Sequence, residues 1–235
     1  RVAIPGRTMT RLPVRDLVRN PRRTILTVVG IGAAISSLVG VSGLLDTFFH
    51  VIDRGEAEIK GDVEDRVNVA LDTFVPVDGD LVRELRALPE VGAIQAVVSV
   101  PATLVRGTTT LDTETTMVDL AGPIWHPTVD VRPATLSDPP GIYLATKAME
   151  DLGVSVGDEV TLRHPVRTTT GFTLVDDILT VAGVHPNPLR FLAYMDQSES
   201  GLFGLDGLTN SLYVRPATGF GTSDLERAIF GRSGV

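Results

Sequence analysis

The sequence predicts a membrane-anchored α+β protein: an N-terminal amphipathic helix, one long transmembrane helix that continues as a stalk, and a mixed α/β extracytoplasmic domain of one or two lobes. Residues 24–45 carry no charge, residues 1–23 are rich in arginine, and residues 61–235 alternate strand-like and helix-like segments. We therefore divide the chain into a basic segment (1–23), a transmembrane helix (24–45), a stalk extension (46–60) and an extracytoplasmic domain (61–235).

The uncharged segment Thr24–Leu45, TILTVVGIGAAISSLVGVSGLL, is 22 residues long. As an α-helix it spans roughly 33 Å, which matches the hydrocarbon thickness of a bilayer. The alternatives are a buried helix of a soluble protein and a secretory signal sequence. The signal sequence is disfavoured because apolar residues continue through Phe48, Phe49 and Ile52, and no small-residue cleavage site precedes a polar stretch.

The charge distribution predicts the orientation of this helix. Residues 1–23 hold seven arginines and one acidic residue, Asp16. Removing them from the totals of 21 basic and 29 acidic residues leaves 14 and 28 for residues 24–235, a net charge of −14. Because arginine excess beside a span marks the cytoplasmic side, we expect a cell-membrane protein with its N-terminus in the cytoplasm and its main domain outside. The acidic outer domain argues against a nucleic-acid partner.

The basic segment contains a candidate membrane-surface helix. From Arg11 onward, apolar residues lie among arginines at roughly helical spacing, which predicts a short amphipathic helix in the headgroup region of the bilayer. Pro21 then ends the pattern and allows the chain to turn into the membrane. The arginines are either topology-setting charges or a dedicated docking surface. The residues assigned to this membrane-interface and cytoplasmic site are Arg15, Arg19, Arg22 and Arg23.

Small residues within the span form a stripe on one helix face. The stripe consists of Gly32, Ser36, Gly40 and Gly43, which follow one another at steps of four, four and three residues. Small residues let helix backbones approach closely in lipid. We therefore expect this face to pack against another helix, either a further span of the same protein or a second copy.

The helical period continues beyond the span. Leu45, Phe48, Phe49 and Ile52 fall on one side, and acidic residues fall largely on the other. A continuous helix from about Pro21 to Ile59 would exceed the membrane thickness and project as a stalk. Such a stalk either transmits motion or acts as a rigid connector.

The outer domain is predicted to be mixed α/β, from alternating apolar residues, capping residues and turns. We expect a hairpin with a polar tip near Arg106–Thr116, helix caps at Asp78 and Thr146, a helix end at Gly153 and a loop over residues 122–141. The predicted strands are Arg66–Leu71, Ile94–Val105, Ile142–Leu144, Glu159–Arg163, Phe172–Val175, Ile178–Val184 and Leu212–Arg215, and the predicted helices are Gly79–Leu88, Lys147–Leu152 and Ser223–Phe230.

Motifs for catalysis or cofactor binding are missing from the sequence. It has no Walker loop, no serine nucleophile elbow and no cysteine, and its four histidines are far apart. The acidic pair Asp176-Asp177 is more typical of a solvated turn than of a general acid and base. We expect no catalytic, cofactor-binding or metal site, and we interpret Trp125 as a half-buried loop anchor or, alternatively, as a partner contact.

Several motifs, in their order along the chain, resemble the N-terminal half of an FtsX/MacB-type ABC transporter permease. LVRNPRRTILTVVGIGAAI (Leu17–Ile35) is similar to the family's arginine-rich entry into its first span. The motifs that resemble the periplasmic core domain are GIYLATKAMEDLGVSVGDEVTL (Gly141–Leu162), ILTVAGVHPNP (Ile178–Pro188) and NSLYVRP (Asn210–Pro216).

The resemblance implies a permease subunit that dimerises and partners a cytoplasmic ABC ATPase. It also implies that motion driven by ATP passes along the first span to the extracytoplasmic domain, for export, lipoprotein handling or cell-wall regulation. The family module has three further spans after this domain, so we expect the sequence to be a segment of a longer permease of one or two modules. The competing hypothesis is a single-span, membrane-anchored binding or sensor protein.

Overall fold

The computed structural model describes residues 21–60, 65–129, 140–232 and 234. The chain forms two units, Arg1–Ile52 and Asp53–Val235. The predicted amphipathic helix, with Arg15 and Arg19, lies outside the described residues.

The first described element is helix α1, Pro21–Lys60, which runs without interruption for 40 residues. This confirms the predicted continuous helix. Proline at the first position suits a helix start, because its missing N–H would lack an intrahelical partner there anyway. The hydroxyls of Thr27 and Thr47 donate to the carbonyls of Arg23 (2.9 Å) and Gly43 (2.8 Å) one turn earlier. Two polar side chains of the helix are therefore satisfied within the helix itself.

The outer unit, Asp53–Val235, alternates strands with short helices, which confirms the predicted mixed α/β class. Its strands are β1 (Val67–Pro76), β2 (Val91–Arg106), β3 (Thr109–Val118), β4 (Gly141–Ala145), β5 (Glu159–Thr168), β6 (Gly171–His185), β7 (Leu192–Asp196) and β8 (Leu208–Pro216). Its helices are α2 (Asp80–Arg86), α3 (Thr146–Leu152) and α4 (Thr222–Ile229), with a 3-10 helix at Gln197–Phe203.

Six of the strands close into a barrel. The order is β2-β3-β7-β4-β6-β5, and β5 returns to pair with β2 through Thr103–Val105. The β3–β7 and β4–β6 pairs are parallel, and the other pairs of the ring are antiparallel. Closure leaves no edge strand in the ring. The interior is filled by apolar side chains from every strand of the ring, among them Leu104, Met117, Leu144, Leu162, Leu179 and Met195.

A second lobe is built on the N-terminal half of β2. There the sheet runs β1-β8-β2, all antiparallel, and α2 and α4 cover one of its faces. The core between sheet and helices contains Val69, Leu85, Leu212, Val214, Leu225 and Ile229. Strand β2, 16 residues long, thus belongs to both lobes.

Two side chains mark the point where β2 leaves β8 and enters the barrel. The Thr209 hydroxyl donates to the Val97 carbonyl (2.7 Å) and accepts from the Val97 N–H (3.2 Å). The Asn210 amide accepts from the Ser99 N–H (2.9 Å) and donates to the Ser99 carbonyl (2.8 Å). Side chains therefore replace the backbone ladder at this junction, so the β2 edge stays hydrogen-bonded.

A third, smaller core lies on the other face of the sheet, where residues 119–129 fold over it. Trp125, 3% exposed, contacts Tyr194 and Tyr213 edge-to-face at centroid distances of 5.8 and 5.3 Å. Buried Gln95 clamps this segment. Its Nε2 donates to the Trp125 carbonyl (2.7 Å), and its Oε1 accepts from the N–H groups of Ile124 (3.2 Å) and Trp125 (2.9 Å).

Glycine is required beside this clamp. A β-carbon on Gly122 would lie 2.3 Å from Gln95 Nε2, closer than atoms can approach. The segment can therefore reach the glutamine only because residue 122 has no side chain.

Several local predictions were wrong. The predicted hairpin is confirmed as β2–β3, but its turn is only Gly107-Thr108, because the two strands pair as far as Arg106 and Thr109. Asp78 and Thr146 do not cap helices: the capping positions are Gly79 and Ala145, and neither makes a side-chain cap bond. Asp176-Asp177 lies within β6 rather than in a turn. Gly153 does end α3, in the left-handed conformation (φ 64°).

We predict that Gln95→Leu destabilises the outer domain by about 2–4 kcal/mol, because it leaves three buried backbone groups of residues 124 and 125 without partners. Trp125 is the single tryptophan of this sequence, so its fluorescence reports on the segment. Denaturant unfolding should show the lower stability, and native emission should shift to the red. Gln197→Leu, at the other glutamine, is the matched control and should leave emission unchanged. Unaltered stability in Gln95→Leu would contradict the clamp.

Candidate functional site

Helix α1 carries the apolar segment that defines the membrane-spanning candidate. Pro21–Asp53, 33 residues that contain an 18-residue window with a mean hydropathy of 2.1, is long and apolar enough to cross a bilayer. The described residues bury none of its most apolar window, whereas the core helix of a soluble protein is mostly buried. The exposed side chains include Leu26, Leu38, Leu44 and Phe48.

The small-residue stripe lies open on this helix. With 3.6 residues per turn, its four positions fall within an arc of about 80° on one face. A β-carbon on Gly32, Gly40 or Gly43 would meet nothing within 4 Å, and Ser36 is exposed. The described residues therefore leave room for a close helix partner along the stripe. That such a partner packs there stays a prediction.

Arg22 and Arg23 occupy the first turn of the helix and are exposed. Positive charge is unfavourable at this end, where the helix dipole is itself positive. These arginines therefore do not serve helix stability. Their membrane-interface role stays a prediction, as does that of Arg15 and Arg19, which lie outside the described residues.

The last turns of the helix belong to the outer unit, which begins at Asp53. Gly55 is buried, and a β-carbon there would lie 3.7 Å from Cγ of Pro188, in the connection between β6 and β7. Within the outer unit, Gly55 of the helix end thus packs against the connection between β6 and β7.

The outer face of the sheet holds a cleft of about 420 Å³, a size typical of ligand sites. Alternate residues of five neighbouring strands form its floor, because successive side chains of a strand point to opposite faces. On this face Ser211 is the register partner of both Ala70 and Val97 on the neighbouring strands. Thr116 is likewise the register partner of both Ser99 and Tyr194. Its other lining residues include Asn68, Glu114, Leu192 and Asn210. Sequence reasoning missed the cleft, since it needs the order β1-β8-β2-β3-β7.

One wall of the cleft is an arginine that packs against two aromatic rings. The Arg66 guanidinium lies 5.2 Å from the centroid of Trp125 and 5.3 Å from that of Tyr213. Burial lowers the pKa of Arg66 and raises that of Tyr213, and it is the largest cause in both cases. The arrangement supplies cation–π and hydrogen-bonding groups for binding. Within the cleft, the Ser99 hydroxyl donates to Glu114 Oε1 at 2.9 Å.

The buried histidines have structural partners. His164 Nε2 lies 2.9 Å from Asp177 Oδ2, and its ring packs at a tilt against Phe203 at a centroid distance of 4.3 Å. The neighbouring Asp176 pairs with Arg163 through two contacts of 2.8 Å. This acidic pair therefore binds the facing strand β5. Among the described residues, no cluster of three or more histidine, aspartate or glutamate side chains could hold a metal ion.

His185 is buried at the end of β6, where it packs edge-to-face on Tyr194 at a centroid distance of 4.8 Å. Its Nε2 lies 3.0 Å from the Leu192 carbonyl oxygen. A carbonyl only accepts, so Nε2 carries the hydrogen. Burial lowers the pKa of His185 to about 4, and the Leu192 bond raises it by less. The ring is therefore neutral at neutral pH.

No family model matches the sequence, and no curated protein matches it. One similar solved structure is the extracellular domain of the noncanonic ABC-type transporter YknZ from Gram-positive bacteria (14% identity, TM-score 0.41, 69% of this chain and 88% of that one). Another is the periplasmic region of MacB from Actinobacillus actinomycetemcomitans (11% identity, TM-score 0.37, 66% and 78%). A third is a domain ascribed to a permease of Porphyromonas gingivalis (15% identity, TM-score 0.40, 73% and 74%).

These three structures are domains of the class that the sequence motifs predict. The likeness in sequence is distant, with identities of 11% to 15%.

We predict that His185 makes the outer domain less stable in mild acid. Its folded-state pKa is lowered, so its contribution is complete above the unfolded value of about 6.5 and is lost as pH falls from 6.5 towards 4. Between pH 7 and pH 5 this amounts to about 2 kcal/mol. His185→Gln, which keeps a donor for Leu192, should lose this part of the pH dependence.

Denaturant unfolding at pH 7 and pH 5 measures the effect. His50→Gln, at an exposed position of α1, is the control and should keep the wild-type dependence. If the stability of wild type and of His185→Gln depended equally on pH, this would contradict a buried His185 ring that is neutral in the folded state.

Proposed function

We propose that this chain is a module of the permease subunit of an FtsX/MacB-type ABC transporter. Helix α1 is its first span, the N-terminus lies in the cytoplasm, and the α/β unit lies outside the cell. The subunit acts mechanically: a partner ATPase hydrolyses ATP, and the resulting movement reaches the outer domain through α1. In this proposal the chain itself has no catalytic, metal or cofactor role.

The observation that carries the proposal is the uninterrupted helix Pro21–Lys60. At about 1.5 Å per residue it is about 60 Å long, roughly twice the hydrocarbon thickness of a bilayer. The same helix belongs to both units, since their boundary falls between Ile52 and Asp53. Gly55 packs against Pro188, so its last turns are part of the outer domain. In this proposal, a movement of the span reaches that domain along the continuous helix.

Two further features support a partnered permease. The open stripe of Gly32, Ser36, Gly40 and Gly43 suits close packing with a second permease module or copy, or with a further span. The arginine-rich segment 1–23 would face the ATPase and lipid headgroups on the cytoplasmic side. The motif resemblance at Leu17–Ile35 covers both the basic segment and the start of the span.

The second candidate function is a single-span, membrane-anchored binding or sensor protein. The specific observation in its favour is the cleft of about 420 Å³, with Arg66 packed against aromatic rings and a polar floor. A sensor would need the anchor and the cleft, but no ATPase.

We predict that an ABC ATPase co-purifies with the full gene product and that a break in α1 uncouples the outer domain from it. Thr108→Cys, in the exposed β2–β3 turn of this cysteine-free sequence, takes a spin label, with any cysteines elsewhere in the gene product replaced. The label-to-label distance between two copies should differ between the ATP-bound and ADP-bound complex. Thr47→Pro should abolish the difference, since proline breaks a helix interior at a cost of about 3 kcal/mol.

Thr47→Ala is the matched control, because it removes the hydroxyl but keeps the helix, and it should preserve the ATP-dependent change. Purification without an ATPase, together with a label-to-label distance that is the same with ATP and with ADP, would favour the sensor protein. A nucleotide-dependent distance that survives Thr47→Pro would contradict transmission through α1.

A further inference from the structure

Nε1 of Trp125 and Nδ1 of His185 are buried polar atoms on the outer face of the sheet, and neither makes a hydrogen bond within the described residues. The two side chains are 3% and 1% exposed. Buried polar groups without partners are rare in folded proteins, and each one needs an explanation. Both atoms belong to rings that pack on Tyr194.

The two atoms are chemically complementary. The indole Nε1–H of Trp125 can only donate. In His185, Nε2 donates to the Leu192 carbonyl at 3.0 Å, so a neutral ring leaves Nδ1 as a bare acceptor. A direct bond between the rings would satisfy both atoms, but none is formed.

Both rings line one small cavity. It has a volume of about 10 Å³, which is about the space that one water molecule needs. Thr128 and Asn187, which also line it, add polar groups, and the exposure of Thr128 places the cavity beside solvent. A buried water requires a polar site with two or more partners, and this cavity provides them.

We propose that one ordered water molecule occupies this cavity and bridges Trp125 and His185. Its oxygen accepts the hydrogen of Trp125 Nε1, and one of its hydrogens is donated to His185 Nδ1. A metal cation does not suit the site, because the indole hydrogen would repel it. An anion does not suit it either, because it would meet the lone pair of Nδ1. The water joins the segment after β3 to the end of β6, beside the wall of the cleft.

The test is NMR of the ¹⁵N-labelled full chain in detergent micelles. The sequence has one tryptophan, so the spectrum contains one indole N–H resonance. We expect a cross-peak between this hydrogen and water whose sign is opposite in rotating-frame and laboratory-frame experiments. That pattern identifies a bound water rather than hydrogen exchange. His185→Phe, which removes the acceptor and keeps a ring on Tyr194, should abolish the cross-peak.

His50→Phe, at an exposed position of α1, is the matched control and should leave the cross-peak unchanged. A wild-type indole hydrogen that is protected from exchange and shows no water cross-peak would mean a dry cavity and overturn the proposal. A cross-peak that persists in folded His185→Phe would also overturn it, since the water would then not depend on Nδ1. Should His185→Phe not fold, the wild-type cross-peak still decides whether water is bound.

Discussion

Backbone hydrogen bonding in lipid is the constraint on which the rest of this structure depends. A chain that crosses the hydrocarbon core must satisfy each N–H and C=O internally, which an unbroken helix achieves. Helix α1 meets this condition from Pro21 to Lys60, and the hydroxyls of Thr27 and Thr47 donate to carbonyls of the same helix. Because the helix continues beyond the apolar segment, its last turns, from Asp53 onward, are part of the outer unit.

The two lobes of the outer unit share a strand and are not separate domains. Strand β2 contributes to the barrel and to the helix-covered lobe, and Thr209 and Asn210 keep it bonded where it changes partners. On the other face, Gln95 holds the segment that carries Trp125. The cleft lies on that face, so the arrangement of its walls depends on the same strand that joins the two lobes.

Local patterns predicted much of this fold. The apolar run gave α1 almost to its last residue, and β-branched stretches and turn glycines gave most strands of the outer unit. Contacts between distant residues were beyond such reasoning: the barrel closes through Thr103–Arg163, and Gln95 bonds a loop 30 residues away. Strand β7, five residues in LAYMD, was missed because its parallel partner β3 lies far away in sequence. The membrane stripe could be predicted as a pattern, whereas the cleft required the strand order.

The central claim is that α1 crosses the membrane and continues into an extracytoplasmic domain. The most direct measurement is labelling of intact cells with a membrane-impermeant maleimide, since this sequence has no cysteine of its own to add background. Single cysteines at Thr10 and Ser198 report the two sides. The account predicts that Ser198→Cys is labelled in intact cells and Thr10→Cys only after permeabilisation. Labelling of Thr10→Cys in intact cells, with Ser198→Cys protected, would contradict it.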